Sequence, residues 1–160
     1  MSDQEQRVLV LGYGNPGRLD DGLGPAFVEA LEAMSLPGVT VDANYQLNVE
    51  DAVELPKHDV VVFVDADASG AEPFYIRPVE PEGAEMSFST HHVSPEAVVA
   101  LGRDMFHASP AAYVIGIRGY EFNEFGQRLS AKAQANLTAA LTFFQETVNQ
   151  GFADCCAVGQ

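Results

Sequence analysis

Two aspartates stand side by side at Asp20 and Asp21, after a turn-rich stretch Gly14-Asn15-Pro16-Gly17-Arg18-Leu19 and before Gly22 and Gly24. Adjacent carboxylates beside glycines suit a divalent cation, because carboxylate oxygens are good metal ligands and glycine lets the loop bend around the ion. The plain alternative is a pair of acids decorating a turn. A second candidate is Asp65, which closes the apolar run Val60-Val61-Val62-Phe63-Val64. A strand rich in buried residues rarely ends in a carboxylate without a partner, although Asp65 would also serve to cap the next turn. Asp67 lies two residues on, and strand alternation puts it on the same side, so it stands as the alternative to Asp65. A third candidate is the adjacent pair His91 and His92, since neutral imidazole is a common ligand of transition metals. His58 and His107 sit alone at element ends and read as surface residues.

The same first loop offers a competing reading. Gly12-Tyr13-Gly14-Asn15-Pro16-Gly17 satisfies G-x-G-x-x-G after an apolar run, the dinucleotide fingerprint, and Asp42 stands where a ribose-binding acid would be. A pyrophosphate needs free amides at a helix start, yet here two carboxylates follow and Pro16 removes one donor. The repulsion weighs against a dinucleotide-binding module.

The elements that must position these groups follow from apolar patterning. Arg7 to Gly12, Val39 to Asp42, Asp59 to Asp65 and Ala112 to Ile117 read as strands, the longer ones continuously apolar and therefore buried on both faces. Phe74 to Val79 reads as a further strand, demoted to an edge by Pro78 and expected to run antiparallel to the strand ending at Asp65, since the connection is too short for a helical crossover. Helices are expected from near Pro25 to Met34, over Val49 to Leu55 with Asn48 as N-cap, from Ser94-Pro95-Glu96 to Phe106, and from Ser130 to Val148. Glu80 to Val93 has no periodicity, and aperiodic stretches of that length inside a domain are usually functional or disordered. Strands alternating with helices predict an α/β three-layer sandwich: a twisted, mostly parallel five-stranded sheet with one antiparallel edge strand and helices on both faces. Function in such sheets gathers at the carboxyl ends of the strands. The expected organisation is a single domain over 1–148 and a loose tail over 149–160.

Bulk properties limit the setting. The chain has 160 residues, enough for one core, with 47% hydrophobic and 19% charged residues. Its net charge of −15 disfavours nucleic acid and anionic membranes. No apolar run is long enough for a membrane span, and the acidic start Met1 to Gln6 lacks signal-peptide character. The two cysteines, Cys155 and Cys156, are adjacent in the tail and exclude a disulfide framework; they bind metal there or are incidental. The expected location is cytoplasmic, with no nucleic-acid or membrane partner.

Asn15-Pro16-x-Arg18-x-Asp20-Asp21-Gly22-x-Gly24, directly after an apolar strand, resembles the N-terminal motif of the hydrogenase maturation endopeptidases, a pattern spread over ten positions. Val64-Asp65-Ala66 matches that family's second motif and Thr90-His91-His92-Val93-Ser94 its third, so the resemblance extends from Arg7 to about Thr147. Two departures stand out: Arg118-Gly119 replaces the family's usual Pro or Glu, and the cysteine tail has no counterpart. The resemblance implies Asp21, Asp65 and His91 as metal ligands, with Asp21 and Asp65 also carrying the catalysis. Asn15, Asp20, Gly22 and His92 support them. Two carboxylates and an imidazole suit nickel or zinc and leave coordination positions open. The implied metal is the nickel of the substrate, with zinc or cadmium able to stand in for it in a crystal. The implied partner is the precursor of a nickel-iron hydrogenase large subunit, whose C-terminal extension is removed after nickel insertion. The sequence has neither G-x-S-x-G nor H-E-x-x-H, which leaves water attack assisted by a metal or a carboxylate. A non-proteolytic, metal-binding maturation chaperone of the same fold is the alternative.

Overall fold

Continuous apolar runs become the inner strands because helices cover both faces of the sheet. The computed structural model describes residues 6–80 and 93–152. β1 (Val8–Tyr13) leads through a 3-10 turn (Leu19–Gly22) into α1 (Leu23–Met34) and β2 (Val39–Asn44). A 3-10 stretch (Val49–Lys57) precedes β3 (Val60–Asp67) and β4 (Phe74–Pro78), and α2 (Pro95–Phe106), β5 (Ala111–Arg118) and α3 (Ala131–Gln150) complete the chain. The strand order is β2-β1-β3-β5-β4, parallel except for β4, which runs antiparallel to β5.

Alternation along the strands divides the core. Val8, Val10, Val60, Val62, Val64, Ile115 and Ile117 meet α1 and α3 on one face through Phe27, Leu31, Leu137 and Phe144. Leu9, Leu11, Val61, Phe63 and Val114 meet Ala52, Leu55, Val98 and Val99 on the other. Three layers result, as the pattern predicts. Asn48 forms a capping box with Asp51, while Ser94 and Ser130 accept the amides of Ala97 and Ala133 at the starts of α2 and α3.

Three boundaries depart from the sequence expectation. α1 begins at Leu23 rather than near Pro25, and the 3-10 turn holding Asp20 and Asp21 runs straight into it; proline is tolerated anywhere in a first turn, where amides lack helical partners. β4 is the antiparallel edge strand, but its hydrogen-bonded neighbour is β5 and not β3, because β5 inserts between the two. The expected loose tail does not hold for 149–152. There α3 continues to Gln150, and Phe152 is buried with its ring stacked on Tyr113 at 5.7 Å. The aperiodic stretch over 81–92, and Cys155 and Cys156, lie outside the described residues.

α1 reaches the sheet through glycines. A Cβ on Gly12 would meet the carbonyl oxygen of Gly24 at 2.4 Å, and one on Gly24 would meet Tyr13 O at 2.5 Å and Val64 O at 2.7 Å. This contact draws the start of α1, and the acidic turn before it, down between β1 and β3. Gly24→Ala is expected to lower stability by about 2–3 kcal/mol in urea unfolding, through overpacking against backbone that cannot yield.

Candidate active site

The loop after β1 is closed on itself. Every amide N–H from Gly14 to Asp21 has a protein acceptor. Gly14 N donates to Asn44 O, Arg18 N to Asn15 O, Leu19 N to Gly126 O, Asp20 N to Glu121 O and Asp21 N to Arg18 O. Asn15 N donates to Asp21 Oδ2 at 2.8 Å and Gly17 N to Asn15 Oδ1 at 2.8 Å. Pro16 has no amide to offer. A Cβ on Gly14 would lie 2.1 Å from Asp21 O, and one on Gly22 would lie 2.9 Å from Pro16 Cα. The glycines of the fingerprint admit neighbouring backbone, and no loop amide from Gly14 to Asp21 is left for a pyrophosphate.

The two adjacent aspartates do different work. Asp20 is 0% exposed. Its carboxylate accepts the amides of Tyr120, Glu121 and Ser130 and the Ser130 hydroxyl at 2.7–3.0 Å. Burial alone would raise its pKa, but these donors outweigh burial and hold it below the usual carboxylate value. Asp20 therefore pins the 3-10 turn to the loop between β5 and α3. Asp21 turns the other way, half-buried, and among the described residues its carboxylate takes the Asn15 amide alone.

Asp65 and Asp67 continue the Val61–Phe63 face of β3, as alternation requires. Asp67 is satisfied: Ser69 N, Gly70 N and Ser69 Oγ reach one oxygen and the Tyr75 hydroxyl the other. Those contacts hold its pKa low. Among the described residues, Asp65 receives only the amide of its neighbour Ala66, at 2.8 Å. Burial pushes its pKa up to about 7; the Ala66 amide opposes the rise, and the charges of Asp21 and then Asp67 add to it. Asp21 and Asp65 thus stand within electrostatic range of each other, at the carboxyl ends of β1 and β3. Tyr13 and Tyr75 stand beside it. Burial raises the Tyr13 phenol, with Asp65 adding, and burial together with the Asp67 hydrogen bond pushes Tyr75 to about 12.

Of the expected ligands, Asp21 and Asp65 come together. His91 and His92 lie outside the described residues, among which no group of three His, Cys, Asp or Glu side chains gathers. His58 and His107 lie next to the amino ends of β3 and β5, at the opposite edge. A cavity of about 180 Å³ flanks the loop, lined by Gly14, Pro16, Pro25, Ala43, Asn44 and Tyr45; the roomier one, about 360 Å³, lies at the opposite edge around Ala111 and Val79. Sequence reasoning missed Tyr13, although period-two alternation from Leu9 and Leu11 puts it on the Asp65 face. Tyr75 carries no such signal. It reaches Asp67 only because Gly116 leaves room, a Cβ there falling 2.2 Å from the phenol ring.

No family model matches the chain. It is 31% identical over 159 residues to the hydrogenase expression/formation protein HupD of Thiocapsa roseopersicina, covering 93% of this chain and 70% of that one. The chain belongs to the hydrogenase maturation endopeptidases. The fold agrees. A hydrogenase 2 maturation peptidase from a Thaumarchaeota archaeon superposes with TM-score 0.67 at 25% identity, over 91% of this chain and all of that one. The hydrogenase maturating endopeptidase HybD of E. coli gives TM-score 0.70 at 23% identity, over 90% and 93% of the two chains. The endopeptidase is thus a peptidase of hydrogenase maturation on the α/β fold expected from sequence. Among its described residues no helix is long and apolar enough to cross a membrane.

Two expectations follow from the carboxylates of this endopeptidase. Asp20→Ala strands four donors in the interior and should cost about 3 kcal/mol or more in denaturant unfolding. Asp65 binds its proton more tightly folded than unfolded, so it erodes stability as pH rises from the ordinary carboxylate range to about 7. Asp65→Asn should remove that slope and melt above the wild type at pH 7.5, while the two converge below pH 4; a wild-type melting point that stays flat over this window would contradict the assignment.

Proposed function

We propose that this endopeptidase removes the C-terminal extension of a nickel-loaded nickel-iron hydrogenase large-subunit precursor in the cytoplasm. Asp21, Asp65 and His91 engage the nickel held by the precursor. The observation that carries this reading is the paired carboxylate site, in which Asp65 is pushed to a pKa of about 7 by burial and by the charge of Asp21. Two acids crowded together at a half-buried edge, each taking a single amide from the described residues, are short of positive charge. A divalent cation would relieve that shortage, and carboxylate oxygens with one imidazole suit nickel. Docking through the nickel makes cleavage conditional on its insertion. Bound there, the metal would supply Lewis-acid polarisation of a carbonyl oxygen.

The chain's own residues provide the rest. A carboxylate oxygen of Asp21 or Asp65 that is not taken up by the metal would accept the proton of an attacking water. The Asn15 amide fixes one oxygen of Asp21, and among the described residues the other takes no hydrogen bond. Asn15 is itself held by the Gly17 amide. Asp20 and Gly22 act at one remove: Asp20 anchors the turn, and Gly22 lets it close against Pro16.

Incubation with nickel-loaded and with nickel-free precursor, followed by mass measurement, tests the reading. One cleavage of the loaded form alone is expected. Asp21→Asn, Asp65→Asn and His91→Ala should each lower the rate by at least about a hundredfold, with melting points showing that the variants fold. Normal processing by any of them would remove that residue from the site. A wild type that binds nickel and leaves the loaded precursor uncut would point instead to a metal-binding chaperone.

A further inference from the structure

The loop that carries the acidic pair also carries a cation that neither the fold nor the proposed chemistry employs. Arg18 is exposed, its guanidinium 5.8 Å from the centre of the Phe125 ring, and Phe125 is 86% exposed. Arg7, Lys57, Arg77, Arg103 and Arg128 pair with carboxylates. Arg118 and Lys132 lie against Tyr120. Among the described residues Arg18 has no carboxylate partner, in a chain where 23 acidic residues face 8 basic ones. With acids in such excess, an exposed arginine left to a ring alone is a notable omission.

The backbone beneath the pair is fixed. Gly126 N donates to Gly17 O at 2.8 Å and Leu19 N to Gly126 O at 2.9 Å, a short parallel bridge between the two loops. Leu19 sits at φ 54, a conformation that costs a non-glycine residue roughly 1 kcal/mol or more. That turn sends the Leu19 side chain inward, to 3% exposure, and the neighbouring Arg18 outward. A guanidinium resting on an aromatic face keeps its planar N–H edge open for a bidentate carboxylate, and its stem is already partly ordered.

We propose that Arg18 and Phe125 form a docking pair for the protein substrate: the guanidinium edge takes a carboxylate side chain of the precursor, and the ring packs against the apolar stem of that side chain. The inference rests on the endopeptidase acting at Asp21 and Asp65. Charge and position identify the occupant. Asp21 and Asp65 repel an acidic segment, so a precursor carboxylate close to the site finds its complement at Arg18. Arg18 and Asp21 belong to one tight turn, Arg18 O accepting the Asp21 amide at 3.1 Å, so the arginine of the pair lies on the same loop as the acid. An arginine and an aromatic on a rigid rim are also the residue types that dominate binding energy in protein interfaces.

Steady-state cleavage of nickel-loaded large-subunit precursor, at low and at high salt, tests the pair. Arg18→Gln should raise KM about tenfold while kcat stays within about twofold. Arg18→Lys should recover part of the loss, since it keeps the charge and lacks the planar fork. Phe125→Ala should raise KM by a smaller factor, and the rise of KM with salt should flatten in Arg18→Gln. Unchanged KM in both Arg18→Gln and Phe125→Ala, with cleavage intact, overturns the docking pair and leaves the endopeptidase reading standing. A fall in kcat at constant KM in Arg18→Gln also overturns it. Failure of the wild type to cut the precursor removes the endopeptidase reading and this inference together.

Discussion

The buried carboxylate of Asp20 is the contact on which the site depends. It gathers three backbone amides and one hydroxyl from the segment between β5 and α3, and so ties together two loops that are 100 or more residues apart in sequence. A buried charge is tolerable only with such a full set of donors. With the set complete, the 3-10 turn has one orientation, and the residues on either side of Asp20 inherit theirs from it. Asp21 faces the carboxyl edge of the sheet, and Arg18 faces solvent beside Phe125. The close approach of Gly12 and Gly24 adds the second constraint, fixing how far α1 and its leading turn descend between β1 and β3.

Around this anchor, three aspartates of one residue type meet three environments. Asp20 is buried and saturated with donors. Asp67 is saturated by its own turn and by Tyr75. Asp65 is half-buried without comparable compensation and within range of another charge, so of the three it alone is pushed towards neutrality. Solvation and hydrogen bonding, rather than position in the chain, separate the two saturated acids from the one whose pKa is raised.

Much of this was legible in the sequence. Apolar runs marked the inner strands because both faces of the sheet are covered, and Asn48, Ser94 and Ser130 marked helix starts because their side chains satisfy first-turn amides. That Asp65 ends a buried run and that Asp21 sits in the turn before α1 was readable from strand position and motif. The partner of β4 was not, because strand order depends on which element packs between two others, and local patterning carries no record of it. The saturation of Asp20 was equally hidden: its donors lie in Tyr120, Glu121 and Ser130, with no periodic relation to the loop. The difference between Asp65 and Asp67 was hidden too: Asp67 is saturated by the turn at Ser69 and Gly70 and by Tyr75, which reaches it across the space left at Gly116.

Asp65 is an under-compensated carboxyl whose proton affinity is raised by burial first and then by the charge of Asp21. The most direct measurement is a pH titration of the Asp65 side-chain carbonyl carbon by NMR in the metal-free protein, repeated in Asp21→Asn. A midpoint near 7 is expected in the wild type, and a lower one when Asp21 loses its charge. A wild-type midpoint in the ordinary carboxylate range near 4, unaffected by the substitution at Asp21, would contradict it.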